Sequence, residues 1–198
     1  FYYLYKMSQK FTILFDLDGT LVDTAPDLMV AHNHVMTKFG YEEKDFSDIK
    51  KLAGGGSRAM LKKSIHTIAE LSGKIKKTDE KMEEEMTKEF IDFYSKNINT
   101  KSKLITGVIE FLDWCKNNSI SMAVCTNKQE HLSIDLLKKI KIYHFFDYVA
   151  GGNTFNYNKP NPKHLTDSLE IIGGNIKKTI MVGDSETDSN AAKTANIP

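Results

Sequence analysis

Asp16 and Asp18 stand two residues apart, where the apolar, β-favouring run from Phe11 to Phe15 breaks off into Asp-Leu-Asp-Gly-Thr. A strand end fixes its side chains, so two carboxylates there suit nucleophilic attack by one and proton transfer by the other. A calcium loop opens with the same pattern. Counted from Asp16, that loop needs glycine at position six and glutamate at twelve. The sequence has Leu21 and Asp27 instead, and a strand rather than a helix precedes it. The plainer alternative, two acids capping a turn, stays open on this segment alone.

Three more polar clusters close apolar runs. Thr126-Asn127-Lys128 offers a hydroxyl and a backbone N–H at a helix start, which is either a ready anion site or an ordinary cap. In Lys159-Pro160-Asn161-Pro162, the lysine can bring a positive charge and Pro160 restricts the backbone beside it. Gly183-Asp184-Ser185-Glu186-Thr187-Asp188 opens a further helix, and the spacing predicts Asp184 and Asp188 on one face of its first turn. Asp188 also reads as a helix-start acid favoured by the dipole. His32 and His34 point about 200° apart on a helix, so they cannot grip one ion and a surface role is expected. Gly54-Gly55-Gly56 lacks the Gly-Lys-Ser/Thr ending of a nucleotide phosphate loop.

The elements that must position these residues follow from periodicity. Short strands are expected over Phe11–Phe15, Ile120–Cys125, Tyr148–Ala150 and Thr179–Val182, each finishing in polar or glycine residues. Helical stripes separate the later ones: Val108, Phe111, Leu112 and Cys115; Leu132, Leu136 and Ile140; Leu165, Leu169 and Ile172. Strand and helix alternating at this interval make crossover units, hence an α/β fold: a Rossmann-like parallel sheet with helices on both faces. Ligands bind such sheets at the carboxyl ends of the strands, where all the polar clusters fall. The gap between the first two strands is too long for one crossover. It carries its own helices: one from Ala25 to Phe39 with Thr24 able to cap and Gly40 as its stop, one after the triple glycine with Leu61, Ile65 and Ile68, and one opening at Thr78 with Met82, Met86, Phe90 and Tyr94. A small helical cap domain inserted after strand one is expected.

Composition closes off other classes. The 198 residues are 40% hydrophobic and 27% charged with a net charge of +1, which is a folded chain. Arg58 is the sole arginine, a poor footprint for nucleic acid. No apolar run approaches the roughly 20 residues that cross a bilayer. Cys115 and Cys125 lack metal or redox spacing and read as buried thiols in a reducing cytoplasm. The aromatic residues 1–6 lack the features of a secretion signal and read as an extension, with the natural start at Met7.

FDLDGTLVDT from Phe15 to Thr24, followed in order by Thr126, Lys159-Pro160 and GDSETD, resembles the haloacid dehalogenase superfamily of phosphotransferases over nearly the whole chain. That resemblance implies Asp16 as the nucleophile, passing through an aspartyl phosphate, and Asp18 as acid and then base. It implies Thr126, Asn127 and Lys159 as phosphate-binding groups. Magnesium would be held by the Asp16 and Asp184 carboxylates and the Asp18 backbone carbonyl, with Asp188 in support. Charge requires such a cation, because two negatives 4 Å apart repel by about 4 kcal/mol at an effective dielectric of 20. Thr24-Ala25-Pro26-Asp27-Leu28, the triple glycine and the stretch from Asn97 to Val108 are similar to the phosphoglycolate phosphatase branch. There, Gly55 and Arg58 would belong to a cap loop that closes over substrate, with Arg58 meeting a substrate carboxylate.

The expected protein is therefore a phosphoric monoester hydrolase acting on a small phosphorylated metabolite, 2-phosphoglycolate foremost. It would be a cytoplasmic monomer or homodimer, free of nucleic acid and membrane. Residues 7–21 and 101–198 would form the core and 22–100 the cap. In the family the point reached at Ile197-Pro198 leads into a further strand, so the core is expected to lack an edge strand. A mutase of the β-phosphoglucomutase type and a non-catalytic phosphate-binding fragment are the alternatives.

Overall fold

The computed structural model describes residues 10–45, 47, 56–72 and 80–198. The predicted extension at 1–6, Met7, Gly54, Gly55, Thr78 and the side chain of Ile68 lie outside the described residues. The chain divides into two compact units, one made of residues up to Val22 together with Leu104–Pro198, the other of Asp23–Lys103.

The first unit is built on four parallel strands, β1 (Thr12–Phe15), β4 (Ser121–Cys125), β5 (Tyr148–Ala150) and β6 (Thr179–Val182), in the order β5-β4-β1-β6. β1 pairs on one side with β4, Phe15 beside Val124, and on the other with β6, Phe15 beside Val182. All four residues of β1 are buried, as a strand covered on both faces requires. Right-handed crossovers fix which helix covers which face. α4 (Val108–Asn117) and α5 (Glu130–Lys139) carry the chain from β1 outward to β5; α6 (Lys163–Ile171) returns it across the sheet to β6, and α7 (Glu186–Ala195) follows. Successive residues of β1 face the two layers. Leu14 packs with Leu165 of α6 and Ala191, Ala192 and Ala195 of α7, whereas Phe15 meets Phe111 of α4 edge-on at 6.2 Å. Small alanines bring α7 close to the strands. Cys115 and Cys125 are buried and unbonded to each other, and burial pushes the Cys125 thiol up to about 11.

In the second unit, α3 (Glu80–Asn97) packs on both α1 (Ala25–Lys38) and α2 (Ser57–Ser72). Met86, Phe90 and Tyr94 are its buried stripe, with Phe90 and Tyr94 stacked at 5.8 Å. Asp27 is buried in the first turn of α1, where its carboxylate accepts from the Lys101 and Ser102 backbone N–H groups, each at 2.8 Å, and from the Ser102 hydroxyl at 2.6 Å. That ties the start of the unit to its exit. His32 is not at the surface as expected. It is wholly buried, its Nε2 lying 2.8 Å from Ser64 Oγ on α2, because a neighbouring helix supplies the polar partner that makes burial tolerable. His34 stacks on Phe93 at 4.0 Å and meets Glu89 at 2.8 Å.

The chain crosses between units through β2 (Val22–Asp23) and β3 (Lys103–Leu104), which pair with each other. Among the described residues no helix is long and apolar enough to cross a membrane.

His164, wholly buried on α6, donates from Nε2 to the Gly151 carbonyl at 3.1 Å. Burial holds its imidazole below the usual range, with Lys159 acting in the same sense. A depressed histidine contributes stability that is complete above about pH 6.5 and is lost as pH falls through that value toward its folded one. Asp16, whose carboxyl burial pushes up to about 6, acts oppositely over part of this range, so the difference between chains isolates the imidazole. We expect His164→Gln, which keeps a donor for Gly151, to lose less of its urea midpoint between pH 7 and pH 5 than the wild type does; equal losses would assign the acid sensitivity elsewhere.

Candidate active site

Three neighbouring strands end level with one another and deliver three polar residues to one edge of the sheet. Asp16 follows β1 and stays in the ladder, its N–H donating to the Val182 carbonyl at 2.8 Å. Thr126 follows β4 and donates to the Ala150 carbonyl at 2.9 Å. Asp184 comes one glycine after β6. Residues more than 160 positions apart are thus brought together.

Lys159 is the electrostatic centre. Its buried ammonium lies 2.8 Å from Asp16 Oδ1 and 2.5 Å from Asp188 Oδ1. Burial alone would lower its pKa, but the two carboxylates outweigh that and hold it above the ordinary lysine value. Burial pushes Asp16 the other way, up to about 6 against the pull of Lys159, with Asp188 adding to the rise. Asp188 also braces the helix that follows. Its Oδ2 accepts from the Ser185 N–H at 3.1 Å and hydroxyl at 2.5 Å, closing a capping box at the start of α7.

That cap corrects one expectation. Asp184 and Asp188 do not share a helical turn, since Ser185 is the extended N-cap and α7 begins at Glu186. Asp184 reaches the site from the preceding loop. Gly19 makes room for it: at φ +84° in the Asp-x-Asp-Gly turn, a β-carbon there would fall 2.2 Å from Asp184 Oδ2. The glycine of the motif thus serves both the left-handed turn and the close approach. Burial raises the Asp184 carboxyl above the usual range, with Asp188 adding to it.

Thr126 and Asn127 do not start a helix either, because α5 begins at Glu130 behind Gln129. They form the turn ahead of it. Thr126 Oγ1 accepts from the Lys128 N–H at 3.2 Å, and Asn127 Nδ2 donates to the Lys159 carbonyl at 2.9 Å, tying the second cluster to the third. Asp18 is half-buried, and its two oxygens lie 2.9 and 3.1 Å from Lys128 Nζ. Lys128 was given no role by the sequence, where it is one lysine among many; its place two residues past a strand-end threonine was the available signal. Arg58 belongs to the helical unit. There its guanidinium lies 3.7 Å from Glu80 and 3.6 Å from Glu83, beside a groove of about 260 Å³ that Lys88 and Asp92 also line. Gly55 is outside the described residues.

Asp16, Asp184 and Asp188 each bring an oxygen within 4.8 Å of the others. An all-oxygen, anionic donor set fits a hard divalent cation. Because both oxygens of Asp188 already serve Lys159 and Ser185, Asp16 and Asp184 are the better placed donors. Four carboxylates against two ammonium groups also leave the cluster negative, the wrong sign for a phosphate dianion unless a cation joins it.

Comparison with known proteins agrees with this architecture. The chain is 37% identical over 186 residues to phosphoglycolate phosphatase of Mesorhizobium japonicum, covering 94% of this chain and 79% of that one. It is 34% identical over 183 residues to phosphoglycolate phosphatase of Aquifex aeolicus, covering 92% and 80%. The crystal structure of a predicted phosphoglycolate phosphatase from Haemophilus somnus superposes with a TM-score of 0.87 at 27% identity, covering 96% of this chain and 84% of that one. β-Phosphoglucomutase from Clostridium difficile shares the fold, with a TM-score of 0.75 at 24% identity over 94% and 81%. The model of the haloacid dehalogenase-like hydrolases matches residues 13–198, from the middle of β1 through both acidic strand ends, and the chain belongs to that family.

Proposed function

We propose that the protein hydrolyses small organic phosphate monoesters through an aspartyl-phosphate intermediate on Asp16, with 2-phosphoglycolate the first candidate substrate. The observation that carries this reading is a buried carboxylate at a rigid strand end, held 2.8 Å from a buried lysine that also meets a second acid. The names of the relatives support the substrate.

In the first half-reaction an Asp16 oxygen attacks phosphorus and the bond from phosphorus to the substrate oxygen breaks. Asp18 gives the departing alkoxide a proton. In the second, water attacks the phosphoryl group, Asp18 takes the water's proton, and the bond to Asp16 breaks to release inorganic phosphate. Lys159 offsets charge on the phosphoryl oxygens throughout, while the Thr126 hydroxyl and Asn127 N–H offer donors from the facing turn. The Asp16 and Asp184 carboxylates and the Asp18 carbonyl would hold a magnesium ion, with Asp188 in support, and it would supply phosphoryl polarisation and relief of the site's negative charge.

Phosphate release across a panel of small organic phosphates, with magnesium and with a chelator, tests the reading. We expect turnover that the chelator abolishes, and 2-phosphoglycolate among the best substrates by kcat/KM. A mutase would isomerise a sugar phosphate without releasing phosphate, and a binding module would turn over nothing; either result refutes the proposal.

A further inference from the structure

We propose that Lys128 is a positioning residue that holds the Asp18 carboxylate in place for the second half-reaction, the attack of water on the phosphoenzyme. The assignment rests on the hydrolytic reading above and adds a residue to it.

Lys128 is held from both ends. Its side chain is 5% exposed, and its ammonium reaches both oxygens of an aspartate 110 positions away in sequence. Its backbone is fixed just as firmly. The N–H donates to Thr126 Oγ1 at 3.2 Å and the carbonyl accepts from the Gly152 N–H at 2.7 Å. The whole turn rests on the glycine pair after β5: a β-carbon at Gly152 would fall 2.4 Å from the Asn127 carbonyl oxygen, and one at Gly151 would fall 2.2 Å from the Glu130 nitrogen. Both contacts are to backbone, so the seat admits no side chain, and the stem of Lys128 leaves it in a set direction toward the end of β1.

Such a lysine is weak evidence for stability. Burying an ion pair costs desolvation that the mutual attraction often fails to exceed, and ordering a four-carbon stem costs rotamer entropy. A local purpose at Asp18 accounts for it better. The Asp18 backbone is set by the turn, with Gly19 at φ +84° and a bridge from Asp18 to Val22, but its carboxylate still has torsions of its own. Two hydrogen bonds from one ammonium restrict them. An ammonium shared by both oxygens suits a carboxylate waiting to accept a proton more than a carboxylic acid about to give one. The hold therefore favours the step in which Asp18 takes a proton from water, phosphorus gains the water oxygen, and the Asp16 oxygen leaves.

With p-nitrophenyl phosphate, whose phenolate departs without needing a proton, the first half-reaction depends little on Asp18. We expect Lys128→Met in the full chain to cut steady-state kcat about 100-fold while kcat/KM changes by less than about threefold, because general-base help is worth that order and is needed only after phenolate has left. KM falls with kcat. Rapid mixing then shows a burst of phenolate stoichiometric with enzyme, which the wild type lacks, and acid quenching leaves phosphate on the peptide carrying Asp16. Lys128→Arg, whose fork can also meet both oxygens, restores most of kcat and removes the burst. A variant that loses kcat and kcat/KM together with no burst has merely lost its loop, and one that loses neither has no use for the lysine; both overturn the assignment while leaving the hydrolytic reading intact. A wild-type chain that releases no phosphate would sink that reading, and this assignment with it.

Discussion

On the proposed mechanism Asp16→Asn is expected to remove turnover, by a factor on the order of 10⁴ to 10⁶, the usual consequence of deleting a covalent nucleophile. The substitution keeps size and shape, so circular dichroism should report an unchanged fold, and the Lys159 ammonium retains Asp188 as a partner at 2.5 Å. What is lost is the anionic oxygen that bonds to phosphorus in the proposed mechanism. The distinguishing measurement is on the covalent intermediate. When the working wild type is quenched in acid and digested, the phosphate mass belongs on the peptide containing Asp16; in the variant no peptide carries it. Phosphate found on another residue, or turnover surviving in Asp16→Asn, would place the nucleophile elsewhere.

Lys159→Met is expected to destabilise the fold in a pH-dependent way. Its ammonium is the shared cation between two buried carboxylates, and removing one partner of a buried ionic cluster typically costs about 3–5 kcal/mol, because the charges left behind remain out of water. The urea midpoint at pH 7 should fall accordingly. The loss should shrink on acidification. With its carboxyl already raised to about 6 by burial, Asp16 is an acid whose folded value lies above its unfolded one. Its protonation therefore favours the native state, a contribution complete below the unfolded value near 4 and lost as pH rises through the folded one. Without the lysine the folded value climbs further, so the variant approaches the wild type as pH drops from 7 to 5. A gap independent of pH would show that Asp16 and Asp188 are not the groups left exposed to each other.

The strands and the acids at their ends were legible in the sequence because both obey short-range rules. An apolar run of four or five residues that stops at Asp, Thr or Gly can be read from a few neighbours, and parallel topology then collects Asp16, Thr126 and Asp184. What escaped depends on partners distant in the chain. His32 reads as a surface residue until Ser64, on another helix, is known to meet it. Lys128 is anonymous until Asp18 is seen opposite. The displaced helix starts have a different origin. Ser185 and Asp188 carry the Ser-x-x-acid pattern of a capping box, which marks Ser185 as lying outside the helix and so forbids a turn shared by Asp184 and Asp188.

The short β2–β3 ribbon has an architectural consequence. Leu21 and Ile105, on either side of an excursion of more than eighty residues, are joined by a backbone hydrogen bond of 3.1 Å, so the chain departs and comes back at nearly the same point. Closing so small a gap needs only a tight hairpin. The excursion can therefore lengthen or shorten while the strand ends that hold the acids keep their places.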